Sequence, residues 1–265
     1  AEHILDEVRR LRDNGYREVI LTGIHLGHYG VDFNAGRPKA EWLRLSHLLR
    51  RLVQLDGDFR IRLSSIEATE VTRELIDVMA EYPSRICPHL HVSLQSGSDR
   101  ILRSMRRRWC SQRFVDRCRL VKEKLDQPAF TTDVIVGYPG ETEADFEDTC
   151  RVVEEVGFSK IHIFSFSPRR PTPAADMPNQ VPKHVKQERS RRLAELEARL
   201  LRRYSESLLG RRLQVMVESP LPDRPGCAYG TSCRYVHVVV PAVAADYGKF
   251  RDAVPAHFVA GRLEM

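Results

Sequence analysis

The sequence predicts an α/β protein: an open, partial βα barrel followed by a small antiparallel β-barrel. Three observations predict it. Up to about residue 166, β-prone runs recur at spacings of roughly 30 to 40 residues, each preceded by a helical stretch, as parallel pairing through crossover helices requires. Two of those runs, His89 to Gln95 and Phe130 to Val136, break into Gly-rich polar residues and then into helix. That layout leaves bare backbone at strand C-termini, where sheets of this kind bind ligands. Beyond Ser207 the pattern changes to short alternating runs, the mark of a small barrel of the type that binds oligonucleotides.

The elements follow in order. Ile4 to Asn14 places Ile4, Leu5, Val8 and Leu11 on one helical face, and Gly15 ends it. Glu18 to Thr22 is a strand entering a loop with Gly23, Gly27 and Gly30, a spacing that lets something approach the backbone closely. Trp42 to Leu55 reads as helix, Arg60 to Ser65 as strand, and Glu70 to Tyr82 as a helix stopped by Pro83. The His89 to Gln95 strand precedes helices over Ser98 to Met105 and Gln112 to Leu125. After the Phe130 to Val136 strand comes an acidic-started helix, Thr142 to Val156, with Gly157 just beyond it. Lys160 to Phe166 is the fifth strand, too few to close an eight-stranded barrel. A Pro-rich loop leads to one long charged helix, Lys183 to Leu209, whose Leu193, Leu196, Leu200 and Leu201 face the barrel. Arg211 to Glu218, Tyr235 to Val240 and a segment around Phe258 to Leu263 are the strands of the tail. The implied domains are 1–180, a connecting helix 181–208, and 209–265.

Composition narrows the class. The 265 residues are 42% hydrophobic, ordinary for a globular protein, and no run of about 20 apolar residues is present to span a bilayer. Six scattered cysteines show no disulfide-framework spacing, which fits a reducing, cytoplasmic setting. The net charge is +6, yet Arg100 to Lys124 alone holds ten Lys/Arg against two Asp/Glu, or +8. Such a local basic surface suits a polyanion such as RNA.

Five segments fall in the order of one family: Leu21 to Gly30, Arg62 to Glu67, His89 to Asp99, Asp133 to Thr142, and Phe166 to Pro173. They resemble the radical S-adenosylmethionine (SAM) methylthiotransferases, which place a methylthio group on a tRNA adenosine or a ribosomal protein. His25, Ser64-Ser65-Ile66-Glu67 and His91-Val92-Ser93-Leu94-Gln95 most resemble the branch acting on threonylcarbamoyladenosine beside the anticodon. The tail, most clearly Gly230 to Val236, resembles the family's small RNA-binding TRAM barrel. The resemblance implies a radical SAM partial barrel of strands two to six, SAM and 4Fe-4S clusters as cofactors, tRNA as partner, and an electron donor. One departure matters: the family's Cys-x3-Cys-x2-Cys loop is missing, the nearest spacings being Cys110-x7-Cys118 and Cys227-x5-Cys233. The expectation is a chain that begins just downstream of that loop and is inert by itself, so no catalytic residue is assigned. The isopentenyladenosine branch, the ribosomal-protein branch and a non-catalytic RNA-binding module are the competing readings.

By resemblance, Thr22 and Gly23 would hold the methionine end of SAM. Gln95 and Ser96 would lie near its ribose or carboxylate, and Val134, Ile135, Val136 and Gly137 along its adenine. Read from the residues alone, the same runs also suit the βα turns of an unrelated barrel. Asp133 and Glu67 are carboxylates near strand ends that need a ligand hydroxyl or ammonium, or an Arg such as Arg62. Asp133 is grouped with the cofactor and Glu67 with the substrate. Arg103, Arg106, Arg107 and Arg108, with Trp109, form a basic and aromatic group suited to phosphate pairing and base stacking. Arg211 and Arg212 are weaker RNA candidates. His25, His89 and His91 lack a zinc spacing and read as hydrogen-bonded residues, and Cys227 and Cys233 as isolated thiols, so no metal ligand is assigned.

Overall fold

The computed structural model describes residues 1–265, apart from the side chain of Ala40. Helix α1 (Glu2–Asp13) buries Leu5 and Val8 and leads into strand β1 (Glu18–Leu21). The glycine-containing loop that follows is a chain of single 3-10 turns up to Glu41, and helix α2 (Leu45–Leu52) is shorter than its apolar pattern indicates. The expected strand over 60–65 is broken at Ser64 into β2 (Arg60–Leu63) and β3 (Ser65–Ile66). The break lets one run serve two neighbours: β2 pairs in parallel with β1, and β3 with β4 (His89–Val92). Helix α3 (Arg73–Glu81) lies between them in the chain, its first turn capped by the Thr72 hydroxyl.

Helices α4 (Asp99–Ser104) and α5 (Ser111–Lys124) lead to β5 (Ala129–Val136). Helix α6 (Glu143–Val156) leads to β6 (Lys160–Ser165). β4, β5 and β6 are parallel neighbours, with His91 beside Thr131 and Asp133 beside His162. Thr142 and Asp145 form a capping box at the start of α6, and Gly157 closes it in the left-handed conformation (φ 70°). The long helix α7 (Lys183–Glu206) lays Leu193, Leu196 and Leu200 onto this parallel core, beside Phe130, Phe146 and Phe158.

The tail is a six-stranded sheet with a core of its own, including Leu208, Val215, Val238 and Leu263. Its strands are β7 (Leu213–Pro220), β8 (Cys227–Ser232), β9 (His237–Pro241), β10 (Phe250–Ala253), β11 (His257–Val259) and β12 (Arg262–Glu264). The order is β10-β7-β8-β9-β12-β11, antiparallel except for β9 and β12. β8 and β10 are two strands beyond those the sequence predicts for the tail. The inward positions of β8 are Ala228, Gly230 and Ser232, too small to register as a hydrophobic alternation. Gly230 has a reason: a Cβ there would stand 2.4 Å from the Met216 carbonyl oxygen.

This sheet covers the N-terminal ends of the parallel strands. Arg60 and Arg62 of β2 donate to the carbonyls of Gln214, Thr231, Ser232 and Cys233. Arg234 and the Tyr204 hydroxyl close on the backbone of Gln127, just before β5. The strand C-termini, where the polar loops lie, stay on the opposite side.

Candidate functional site

Two loops and a polar interior make up the site. In the loop after β4, Gln95 adopts φ +68°, a conformation that costs a non-glycine residue about 1–3 kcal/mol. It is held there from both sides, its N–H donating to Asp133 O at 2.8 Å and its carbonyl accepting from Ile135 N at 2.9 Å. Its amide side chain is half-buried and makes no hydrogen bond among the described residues. The next three residues bolt the loop to α6. Thr149 Oγ1 accepts the Gly97 N–H at 2.9 Å, and a Cβ on Gly97 would lie 2.5 Å from Thr149 Cα. Ser98 Oγ donates to Asp145 Oδ1 at 2.6 Å, and Arg100 pairs with the same carboxylate. Burial raises the Asp145 pKa, but the bonds from Arg100, Ser98 and Thr142 outweigh it and hold the group well below the usual carboxylate range.

That arrangement corrects part of the expected cofactor contact. Ser96 is fully buried, with its hydroxyl 3.3 Å from Thr149 Oγ1 and accepting from Ser98 N; it faces α6. The Val134 and Val136 side chains are also fully buried and belong to the core behind the sheet, because alternate residues of a strand face opposite sides. Gly137 donates to Glu141 Oε2 at 2.6 Å and is covered by the stem of Lys186, so its missing Cβ makes room for α7. Thr22 and Gly23 are exposed at the end of β1. Ile135 lines a cavity of about 320 Å³ with Tyr138, Phe166 and Met177.

Inside the curve of the sheet is a second cavity of about 410 Å³, lined by Arg62, Ser64, His89, His91, Thr131, Asp133, His162 and Phe164 and floored by Tyr235. Both inward histidines of β4 meet one hydroxyl: Thr131 Oγ1 lies 3.0 Å from His89 Nε2 and 2.9 Å from His91 Nδ1. His91 Nε2 is 3.2 Å from Asp133 Oδ2, within ion-pair distance but without a hydrogen bond. Burial raises the Asp133 pKa, yet the adjacent imidazoles of His91 and His162 more than offset it and hold the carboxyl below its ordinary value. His89 stacks on Tyr235 with centroids 4.7 Å apart. Burial, then the charges of Arg62 and His91, push its pKa well below the ordinary histidine value.

The basic group divides. Arg103, Arg106 and Arg108 are exposed. Arg107 is half-buried, 3.3 Å from Glu67, with its guanidinium 5.4 Å from the Trp109 ring centroid. The partner expected for Glu67, Arg62, instead pairs with Glu18 at 2.8 Å. Trp109 is 5% exposed and belongs to the core, so it cannot stack on a base as the sequence reading expected. Arg211 and Arg212 are held in exposed pairs with Asp126 and Asp252.

Sequence reasoning missed Thr131, His162, Tyr235 and Glu70 as parts of this region. The first two were legible in principle: Thr131 and Asp133 share a face by the strand's two-residue period, and His162 sits opposite Asp133 in register. Tyr235 and Glu70 are brought in by packing that no local pattern encodes. Among the described residues, the groupings of metal-type ligands are His91, Asp133 and His162, and His25, His28 and Glu70; neither contains a cysteine.

A family model described as the Radical SAM superfamily matches residues 1–153. The chain is 42% identical over 216 residues to tRNA-2-methylthio-N(6)-dimethylallyladenosine synthase of Corynebacterium diphtheriae, covering 82% of this chain and 42% of that protein. It is 47% identical over 214 residues to the protein of the same description from Leifsonia xyli subsp. xyli, covering 81% and 39%. Over 251 residues it is 37% identical to threonylcarbamoyladenosine tRNA methylthiotransferase MtaB of Bacillus subtilis, covering 94% and 54%. The chain thus spans about half the length, or less, of the curated relatives it matches.

Proposed function

The chain belongs to the radical SAM superfamily, and from that premise we propose that it serves a tRNA methylthiotransferase acting on carbon 2 of N6-threonylcarbamoyladenosine beside the anticodon. The observation that carries this reading is the polar interior of about 410 Å³ directly below the strand-end loops. It offers a flat heteroaromatic base one anionic acceptor, Asp133, and two imidazoles, His91 and His162, within reach of the loops that would hold SAM. The match to the threonylcarbamoyladenosine enzyme runs over 94% of the chain and so reaches into the C-terminal sheet. Dimethylallyladenosine is the second reading, favoured by the higher identities of 42% and 47%.

Membership in the superfamily implies SAM and a [4Fe-4S] cluster. The six cysteines do not fit the cluster: none joins another in a ligand group, and burial pushes the thiols of Cys87 and Cys118 up to about 12. No step is therefore routed through the cluster. SAM fits better. It supplies the alkyl and radical chemistry of the superfamily, and the chain's part is to bind it, orient it and keep water out. The exposed backbone of Thr22 and Gly23 would take its polar methionine end, and the free amide of Gln95 its ribose or carboxylate. Ile135, with Tyr138 and Phe166 packed edge to face, would form the apolar wall for adenine. Arg103, Arg106 and Arg108, together with a C-terminal sheet of TRAM type, would carry the tRNA. No helix is long and apolar enough to cross a membrane, and the proposed setting is the cytoplasm, with an electron donor as second partner.

Deleting the gene and analysing tRNA hydrolysates by mass spectrometry tests the reading. Loss of the methylthio form of threonylcarbamoyladenosine supports it. Loss of the dimethylallyl counterpart transfers the assignment to the second reading. If both methylthio nucleosides persist, the RNA-binding alternative replaces both.

A further inference from the structure

At the rim, apart from the polar interior, the loop after β1 carries His25 and His28, stacked with ring centroids 5.2 Å apart. Both side chains are about half exposed, whereas Glu70, which meets them from the turn before α3, has a side chain only 3% exposed. Glu70 Oε1 lies 3.4 Å from His28 Nε2 and 4.0 Å from His25 Nδ1. It is buried and has no hydrogen-bond partner, while Oε2 is fixed by the Glu67 N–H at 3.0 Å. Leaving a buried carboxylate oxygen unmatched is costly. Gly27 makes the approach possible, since a Cβ there would lie 2.3 Å from Glu70 Cβ.

We propose that His25, His28 and Glu70 bind one divalent transition-metal ion of the zinc type. The three donor atoms lie within 4.8 Å of one another. A tetrahedral ion with bonds of about 2.0–2.1 Å needs its ligand atoms roughly 3.3–3.5 Å apart. The His28–Glu70 spacing already meets that, and the half-exposed His25 closes the rest by a small side-chain movement. Two imidazole nitrogens and one carboxylate oxygen select zinc, cobalt or nickel over the harder calcium and magnesium. The Glu67 N–H on Oε2 orients the carboxylate, as ligating carboxylates require. Three protein ligands leave a fourth position to solvent. The ion would staple the loop after β1 to the β3–α3 turn, fixing one wall of the rim next to Thr22 and Gly23.

The test is titration of the chelator-treated chain with Co(II), read by its visible absorption, then displacement by Zn(II). The expected result is one saturable equivalent, with affinity falling roughly tenfold or more in His28→Ala and in Glu70→Gln. His28→Ala removes a half-exposed ring, and an unchanged circular dichroism spectrum shows that it still folds. His162→Ala, which disrupts the interior grouping, is expected to leave the titration unchanged. Absence of saturable binding overturns the proposal and leaves an ordinary histidine–glutamate ion pair. Binding that survives His28→Ala, or is lost only in His162→Ala, overturns it as well.

Discussion

Replacing Arg60 by methionine removes a buried polar link between the two cores. The Arg60 guanidinium is 1% exposed and donates to Glu18 Oε2 at 2.6 Å, Gln214 O at 2.8 Å and Thr231 O at 2.9 Å, with Phe250 stacked 4.9 Å away. Methionine fills most of the volume but donates nothing. Two carbonyls lose this donor, at about 1–3 kcal/mol each where no water replaces it. Glu18 keeps Arg62 as a partner, which limits the electrostatic loss. The sum, about 2–6 kcal/mol, is centred on the roughly 3–5 kcal/mol typical of removing one member of a buried pair. For a chain of this size that is on the order of 10 °C in Tm. Urea unfolding followed by tryptophan fluorescence and by circular dichroism measures it. Arg60→Lys is expected to recover only part of the loss, because an ammonium cannot serve the same three acceptors with fork geometry. Arg212→Ala, which breaks an exposed pair, is the control and should cost under about 1 kcal/mol. A loss for Arg60→Met no larger than that of the control would refute the account of the interface.

Three further outcomes follow from the same geometry. His89 has a folded pKa below its unfolded value, so below about pH 6.5 the unfolded chain binds the extra proton and stability falls with pH, by about 1.4 kcal/mol per unit until the folded pKa is reached. Urea midpoints at pH 7 and 5 should fall further for the native chain than for His89→Gln, and parallel slopes would contradict the assignment. Gly97→Ala forces a methyl group against the α6 backbone and should destabilise by about 1–3 kcal/mol, measured by thermal unfolding. The pair Arg106→Ala plus Arg108→Ala should weaken tRNA binding and reduce the slope of log K against log salt by about 1–2, whereas an unchanged slope would show that this exposed basic loop touches no phosphate.

The βα rhythm was legible because its signals are local. The acidic start of the helix over 142–156, the Gly157 stop and the β-prone run 130–136 each depend on residues a few positions apart, and the structure places α6 and β5 within a residue or two of the sequence expectation. The loop after β4 was legible as a special place but not as to which residue does what. Gln95 remains free, while Ser96, Gly97 and Ser98 are spent on α6. Only the long-range pairing with Thr149 and Asp145 separates the two roles. Trp109 failed for a related reason. A tryptophan inside a charge run looks like a stacking platform, but the turn between α4 and α5 folds it into the core and leaves three of the neighbouring arginines outside.

The C-terminal sheet illustrates how a site can depend on a part chosen for another reason. Read as sequence, the tail is an RNA-binding element and nothing in it points toward the parallel strands. In the structure its carbonyls at Gln214, Thr231, Ser232 and Cys233 take up the donors of two buried arginines that share the single carboxylate of Glu18. Buried cations with too few acceptors would draw in water or open the cavity. Tyr235 then lies over both His89 and Arg62, closing the floor of the polar interior. The sheet is therefore a structural wall of the proposed substrate chamber, and a tail variant that disturbs Tyr235 would alter the chamber itself even where every surface arginine is kept.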